Sequence, residues 1–134
     1  MQLLVNVDVD DLDRAVEFYA SALGLREGRR LFAGSVAEMD GASAKIYLMA
    51  KPAGTAPFAD APTVREYRRH WTPVHLDFEV EDVGRAVERA VSAGAALEGE
   101  IQSFRWGRQA TLSDPFGHGF CLLEFSRQGY DAAT

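Results

Sequence analysis

The sequence predicts an α+β domain built from two successive βαβββ modules. The stretch VNVDVDDLDRAVEF (residues 5–18) recurs in closely similar form as LDFEVEDVGRAVER (residues 76–89). In each copy, alternating apolar residues typical of a strand are followed by apolar residues at helical spacing. Strand-like segments separated by turn signals follow each helical segment. The repeat runs at a fixed offset, with Val9 recurring as Val80 and Arg14 as Arg85, and therefore indicates two related halves.

The first module begins with a predicted strand at residues 5–9 that leads into a helix. Acidic residues precede this helix, where they are favourable, and Gly24 marks its expected left-handed C-cap. Three more strands are predicted in this module, at residues 26–32, 35–40 and 44–50.

The second module repeats this order, with a strand ending at Val80 and a helix ending at Gly94. Its remaining strands are predicted at residues 95–104, 108–114 and 119–125. A connector between the modules opens as a loop and closes with a predicted short helix, TVREYRRH. We expect a single domain with four parts, namely module one (1–50), the connector (51–72), module two (73–126) and a tail (127–134).

Composition narrows the classes of function. The chain has 134 residues, of which 47% are hydrophobic and 25% charged, as in one globular domain. It has no apolar run near the roughly 18 residues that span a bilayer and no signal peptide pattern at its start, so we expect a cytoplasmic protein without membrane contact. A net charge of −6 opposes the phosphate backbone of nucleic acid. Cys121, the single cysteine, excludes an internal disulfide.

The paired modules, with DLDRAVEFYASALGL near the start and DPFGHGFCLLEF near the end, resemble the vicinal oxygen chelate superfamily. That superfamily includes glyoxalases, bleomycin resistance proteins and extradiol dioxygenases. The resemblance implies a glyoxalase/bleomycin resistance/dioxygenase fold in which the two modules form a cup-shaped mixed sheet. It also implies a homodimer and a small-molecule ligand or substrate held in the cup.

Strand parity predicts which side chains face this cup. Successive residues of a strand point to opposite faces of the sheet. If Leu76 and Phe78 pack under the second helix, then His75 and Asp77 face the cup. Cys121, Leu123 and Phe125 share one face of the last strand, so we expect Glu124 on the opposite face, the helix side.

The resemblance also implies where a metal would bind. Metal-using members take a His or similar ligand from the first strand of each module and a carboxylate from the last. The matching positions here are Leu4 and His75 in the first strands, and Tyr47 or its neighbour Ile46 and Cys121 in the last. A divalent ion needs at least three good ligands, so we expect no metal cofactor.

Two functions remain open from the sequence. One is a metal-free protein that binds a small organic molecule in the cup. The other is a metal-dependent lyase, isomerase or dioxygenase of the glyoxalase type that uses His75, and a third variant would use His75 as a general base without metal. Cys121 reads more simply as a small buried residue than as a nucleophile. The predicted ligand-binding residues are Asn6, Tyr47, Trp71, His75, Asp77, Trp106, Arg108 and Cys121.

Overall fold

A computed structural model describes the whole chain, residues 1–134, as two compact units, Met1–Arg68 and Arg69–Thr134. The α+β class with two mixed sheets is confirmed. The expected single domain and its exact four-part division stay predictions, although the boundary between the units lies inside the predicted connector. Neither helix is long and apolar enough to cross a membrane.

The first unit is one βαβββ module. Its elements are β1 (Leu4–Val9), α1 (Leu12–Leu23), β2 (Arg26–Leu31), β3 (Val36–Asp40) and β4 (Lys45–Ala50). The strands lie in the order β1-β4-β3-β2, with β1 parallel to β4 and the other pairs antiparallel. Helix α1 packs on β2, β3 and β4, and the residues buried there include Ala37, Met39, Ile46 and Leu48.

The second unit repeats the plan with one difference. Its elements are β5 (Leu76–Glu79), α2 (Val83–Ala93), β6 (Ala96–Leu97), β7 (Gln102–Phe104), β8 (Gly107–Ser113) and β9 (Gly119–Phe125). The sheet order is β5-β9-β8-β6, and β7 also pairs with β8. The single strand predicted over residues 95–104 is therefore wrong, because a turn at Gly99 divides it in two. A 3₁₀ helix at Gly129–Ala133 lies in the predicted tail.

Both helices begin and end as their sequences indicate. The side chains of Asp11 and Asp82 are N-caps, and each accepts a hydrogen bond from the backbone N–H three residues later. Gly24 and Gly94 are the C-caps, with φ of 70° and 117°, values that glycine adopts without steric cost. The helix bounds follow directly from these local signals.

The short helix predicted at residues 63–70 is wrong. The backbone N–H of Arg65 donates to the carbonyl of Thr55 at 2.8 Å, and its carbonyl accepts from the N–H of Gly54 at 2.8 Å. Its guanidinium Nε donates to Asp8 Oδ2 at 2.7 Å. These partners hold Arg65 against residues 54–55 of the same connector, and a helical i→i−4 bond cannot form at the same N–H.

Candidate functional site

A recess of about 240 Å³ lies in the second unit, on the face of its sheet opposite α2. Residues 69–75 form one wall, and side chains of β8 and β9 form the floor. The polar groups that line it are Arg69, Thr72, His75, Gln109, Thr111 and Cys121. His70 and Trp71 bring rings to the wall, whereas Phe120, which also lines the recess, is buried with its ring packed against Phe78.

The register of the sheet explains why these polar groups converge. Asp77 on β5 pairs with Cys121 on β9, and Cys121 pairs with Thr111 on β8. Residues directly opposite each other on neighbouring strands share a face. The alternate residues Ala110, Leu112 and Leu122 face the other way and are fully buried, in strands on which α2 packs.

Three possible metal ligands meet at this floor. The ligand atoms of His75, Asp77 and Cys121 all lie within 4.8 Å of one another. His75 Nε2 is 3.1 Å from Asp77 Oδ1, so the carboxylate orients the imidazole. Both side chains are well exposed to solvent, at 55% for His75 and 39% for Asp77, whereas Cys121 is buried. Asp77 was predicted to face the cup but was not among the predicted metal-ligand positions.

Cys121 is a neutral thiol with weak partners. Burial raises the pKa of Cys121, and the nearby carboxylate of Asp77 raises this pKa further. The amide Nε2 of Gln109 donates to Cys121 Sγ at 3.5 Å, and Thr111 Oγ1 lies 3.7 Å from the same sulfur. A raised pKa keeps the thiol protonated at neutral pH and makes it a poor nucleophile.

The wall of the recess is fixed to the unit by ionic and polar contacts. The Arg69 guanidinium donates to both carboxylate oxygens of Glu98, at 2.7 and 2.9 Å, and lowers the pKa of Glu98. The N–H of His70 donates to the carbonyl of Gly117 at 3.1 Å, and His70 Nε2 is 2.9 Å from His118 Nδ1. His118 is therefore a half-buried partner of the wall.

The DPFGHG turn that carries His118 is organised by a buried carboxylate. Asp114 Oδ1 accepts hydrogen bonds from the N–H groups of Phe116 at 2.8 Å and His118 at 2.9 Å. Asp114 is 5% exposed, and the Phe116 ring is fully buried. This turn sets the start of β9, and with it the position of Cys121.

Asn6 and Tyr47 lie in the first unit, opposite each other on β1 and β4. The Tyr47 hydroxyl donates to Glu38 Oε2 at 3.0 Å. Glu38 is buried, and Arg29 donates to both of its oxygens, at 3.2 and 2.7 Å. The hydrogen bond from Arg29 lowers the pKa of Glu38 to about 2. Glu38 was not among the predicted site residues, because only the register of β3 with β4 places it opposite Tyr47.

Trp106 and Arg108 lie away from the recess. The Trp106 ring stacks on Phe104 with centroids 4.8 Å apart, at the hairpin between β7 and β8. Arg108 Nη1 is 3.5 Å from Glu124 Oε2, which also accepts from the backbone N–H of Val83 at 2.8 Å. Arg108 and Glu124 thus lie on the helix side of the sheet.

Of the predicted site residues, the structure brings together Trp71, His75, Asp77 and Cys121. Gln109 and Thr111 also line the recess, and the sequence analysis did not name them. Their alternation with buried residues along β8 was a usable signal, but only the pairing of β8 with β9 places them beside Cys121.

Comparison with known proteins identifies the family. A family model described as a glyoxalase-like domain matches residues 4–123. The chain belongs to this family. Its structural neighbours include a glyoxalase/bleomycin resistance protein/dioxygenase family enzyme from Burkholderia phytofirmans PsJN, with a TM-score of 0.72 and 20% identity over 92% of this chain and 97% of that one.

Other relatives of this glyoxalase-like domain carry more specific names. The anthracycline biosynthesis protein DnrV of Streptomyces peucetius is 32% identical over 97% of this chain and 43% of its own length. This chain therefore spans less than half of that curated relative. TnmS3, an antibiotic binding protein from Streptomyces sp. CB03234, is 25% identical with a TM-score of 0.65, over 94% of this chain and 96% of that one.

The three possible ligands in this glyoxalase-like domain are of the chemical types that bind a divalent metal ion. Imidazole, carboxylate and thiolate are all zinc ligands, and around a tetrahedral zinc they lie about 3.3–3.8 Å apart. The ligand atoms of His75, Asp77 and Cys121 lie within 4.8 Å of one another, so they would have to approach each other by up to about 1 Å to coordinate one ion. Cys121 must first lose the proton that its raised pKa retains.

Proposed function

We propose that the recess of the second unit binds a small organic molecule without metal and without turnover. The observation that carries this is the convergence of aromatic and hydrogen-bonding side chains on one concavity of about 240 Å³. Sites for small molecules typically combine apolar walls with a few well-placed polar groups. Trp71 supplies apolar surface, and His75, Gln109 and Thr111 supply the polar groups.

The size and charge of the recess restrict the ligand. Sites for drug-sized molecules usually have about 300–1,000 Å³, so this recess accommodates one or two rings of a larger molecule. The Asp77 carboxylate at the floor and the net charge of −6 favour neutral or cationic compounds. The relative named for anthracycline biosynthesis supports a flat, oxygenated aromatic ligand, and the neighbour described as an antibiotic binding protein supports binding of a small molecule.

Equilibrium dialysis against a panel of hydroxyanthraquinones, naphthols and anthracycline antibiotics tests the proposal. We expect saturable binding, with the compound recovered chemically unchanged. Trp71→Ala should weaken binding, while Trp106→Ala, a matched control outside the recess, should not. Absence of binding by every compound, or equal effects of the two tryptophan variants, would contradict the proposal.

The second candidate is a metal-dependent lyase, isomerase or dioxygenase of the glyoxalase type. It is favoured by the grouping of His75, Asp77 and Cys121. In it these three residues would hold the ion, and the ion would polarise a substrate oxygen. Elemental analysis of the purified protein decides between the candidates. Near-stoichiometric divalent metal that is lost in His75→Ala, and kept in the exposed control Asp131→Asn, would support the enzyme.

We also propose that the protein is a homodimer. Strand β1 is an edge strand that pairs only with β4, and the apolar side chains of Leu3 and Leu4 at its start are exposed. Exposed edges and apolar groups of this kind are commonly covered by a partner. Analytical ultracentrifugation should give twice the mass of 14.7 kDa, and Leu4→Lys should shift the protein toward the monomer.

The setting that we propose is the cytoplasm, without nucleic acid as a partner. The free Cys121 thiol is compatible with a reducing compartment, and the acidic balance opposes polyanions. Cell fractionation and a filter-binding assay with duplex DNA at low salt test these two points.

A further inference from the structure

We infer that Gln109 and Thr111 select ligands that carry a carbonyl or hydroxyl oxygen, because the Cys121 thiol is only a weak placeholder for that oxygen. This inference rests on the proposed binding function and names the chemical feature that the recess reads. It concerns hydrogen-bonding groups at the floor, on strands β8 and β9.

The contacts around Cys121 are few and long. The Gln109 amide donates to Cys121 Sγ at 3.5 Å. The Thr111 hydroxyl, which can donate or accept, lies 3.7 Å from the same atom. The two polar side chains that β8 contributes to the floor thus both contact one sulfur atom.

Sulfur is a weak hydrogen-bond acceptor, so the Gln109 and Thr111 side chains lose little free energy when they exchange the sulfur for another partner. A ligand oxygen at the floor would accept from Gln109 and Thr111 with the shorter geometry of N–H···O and O–H···O bonds. An apolar ligand of the same shape would gain nothing there. Both side chains are only half-buried, which leaves them accessible from the recess.

The consequence is selectivity by oxygen content. A net hydrogen bond to a neutral oxygen contributes about 0.5–1.5 kcal/mol, equivalent to roughly a two- to tenfold change in affinity. We therefore expect a flat ketone to bind about three- to tenfold more tightly than the parent hydrocarbon.

The test uses 1-indanone and indane, which share a ring skeleton and differ at one carbonyl. Binding is followed by NMR titration of the ¹⁵N-labelled full chain, which also reports whether each variant is folded. The wild-type protein should prefer 1-indanone by the stated factor. Gln109→Leu combined with Thr111→Val should remove the preference, while the exposed control Gln128→Leu should retain it.

Two variants of Cys121 test whether the thiol occupies the position of a ligand oxygen or only fills space in the sheet. A serine hydroxyl is a stronger partner for Gln109 and Thr111, so Cys121→Ser should weaken 1-indanone about threefold and leave indane unchanged. Cys121→Ala removes the partner and should preserve or increase the affinity for 1-indanone.

Equal affinities of 1-indanone and indane, no binding of 1-indanone, or equal behaviour of the serine and alanine variants would each overturn the inference. The proposed function is tested separately, by the panel of aromatic compounds and by the two tryptophan variants.

Discussion

Replacement of Glu124 is expected to destabilise the second unit without affecting the recess. Glu124 Oε2 accepts from the N–H of Val83, the first residue of α2, at 2.8 Å. A side-chain bond to a free N–H at a helix start contributes about 1 kcal/mol, and a carboxylate near that end adds about 0.3–1 kcal/mol. We therefore expect Glu124→Ala to lower the free energy of unfolding by about 1–2 kcal/mol. Glu124→Gln retains an acceptor oxygen and should cost about 0.3–1 kcal/mol.

The ion pair with Arg108 is the competing explanation for such a loss. Arg108 Nη1 and Glu124 Oε2 are 3.5 Å apart, and the Arg108 side chain is 44% exposed. Because exposed ion pairs are weak, this pair should contribute less than about 1 kcal/mol to the free energy of unfolding. Urea unfolding of Glu124→Ala, Arg108→Gln and the double variant separates the two contributions. Glu124→Ala should lower the free energy of unfolding by nearly the same amount in the wild-type protein and in Arg108→Gln. The slope of the unfolding free energy against urea concentration should not change.

The same variants carry a functional measurement. Glu124 is the only carboxylate of β9, but it lies on the face opposite Cys121, so its removal should leave metal content and affinity for aromatic compounds unchanged. If Glu124→Ala abolished either property, or if its cost vanished in the Arg108→Gln background, the assignment of Glu124 as a helix cap would be refuted.

Three further predictions concern individual groups. Asp114→Ala removes the side-chain acceptor of two backbone N–H groups in a largely buried turn and should cost about 2–4 kcal/mol in urea unfolding, whereas Asp114→Asn should cost less. The pKa of Glu38 is about 2 when folded and about 4.5 when unfolded, so acid favours the unfolded chain. The stability that Glu38 provides is therefore present above pH 4.5 and should be lost as the pH falls toward 2, and Glu38→Gln should flatten this part of the profile. Burial raises the pKa of Cys121, so alkylation by iodoacetamide at pH 7.5 should be far slower than in urea, and equal rates would contradict this.

Local patterns in the sequence were sufficient to predict most of the fold. The caps Asp82 and Gly94 and the alternation of residues 76–80 are short-range signals that fix an element and its buried face. The same alternation predicted that His75 and Asp77 point away from α2, and the structure places both beside Cys121.

The remaining features depend on contacts between distant residues. The helix predicted at residues 63–70 has suitable local composition, but Arg65 is held by Asp8, which is 57 positions away in the chain. Gln109 and Thr111 become site residues only through the register of β8 with β9, which a single sequence does not specify. The register of β5 with β9 likewise brings Asp77 beside Cys121 and makes it a third potential ligand.

The duplicated register also explains why binding is proposed for the second unit. Asn6, Tyr47 and Glu38 form a row across the first sheet that matches the row of Asp77, Cys121 and Thr111 in the second.

In the first row Glu38 and Tyr47 already have strong partners. Glu38 accepts from the Tyr47 hydroxyl and from Nε and Nη2 of Arg29, and Lys45 Nζ lies 3.4 Å from Glu38 Oε1. A ligand there would have to replace charge-assisted hydrogen bonds, which are costly to break. In the second row the equivalent central position is a thiol whose partners lose little when a ligand displaces them. We therefore propose binding in the second unit, where the sulfur at the centre of the row has only weak hydrogen-bond partners.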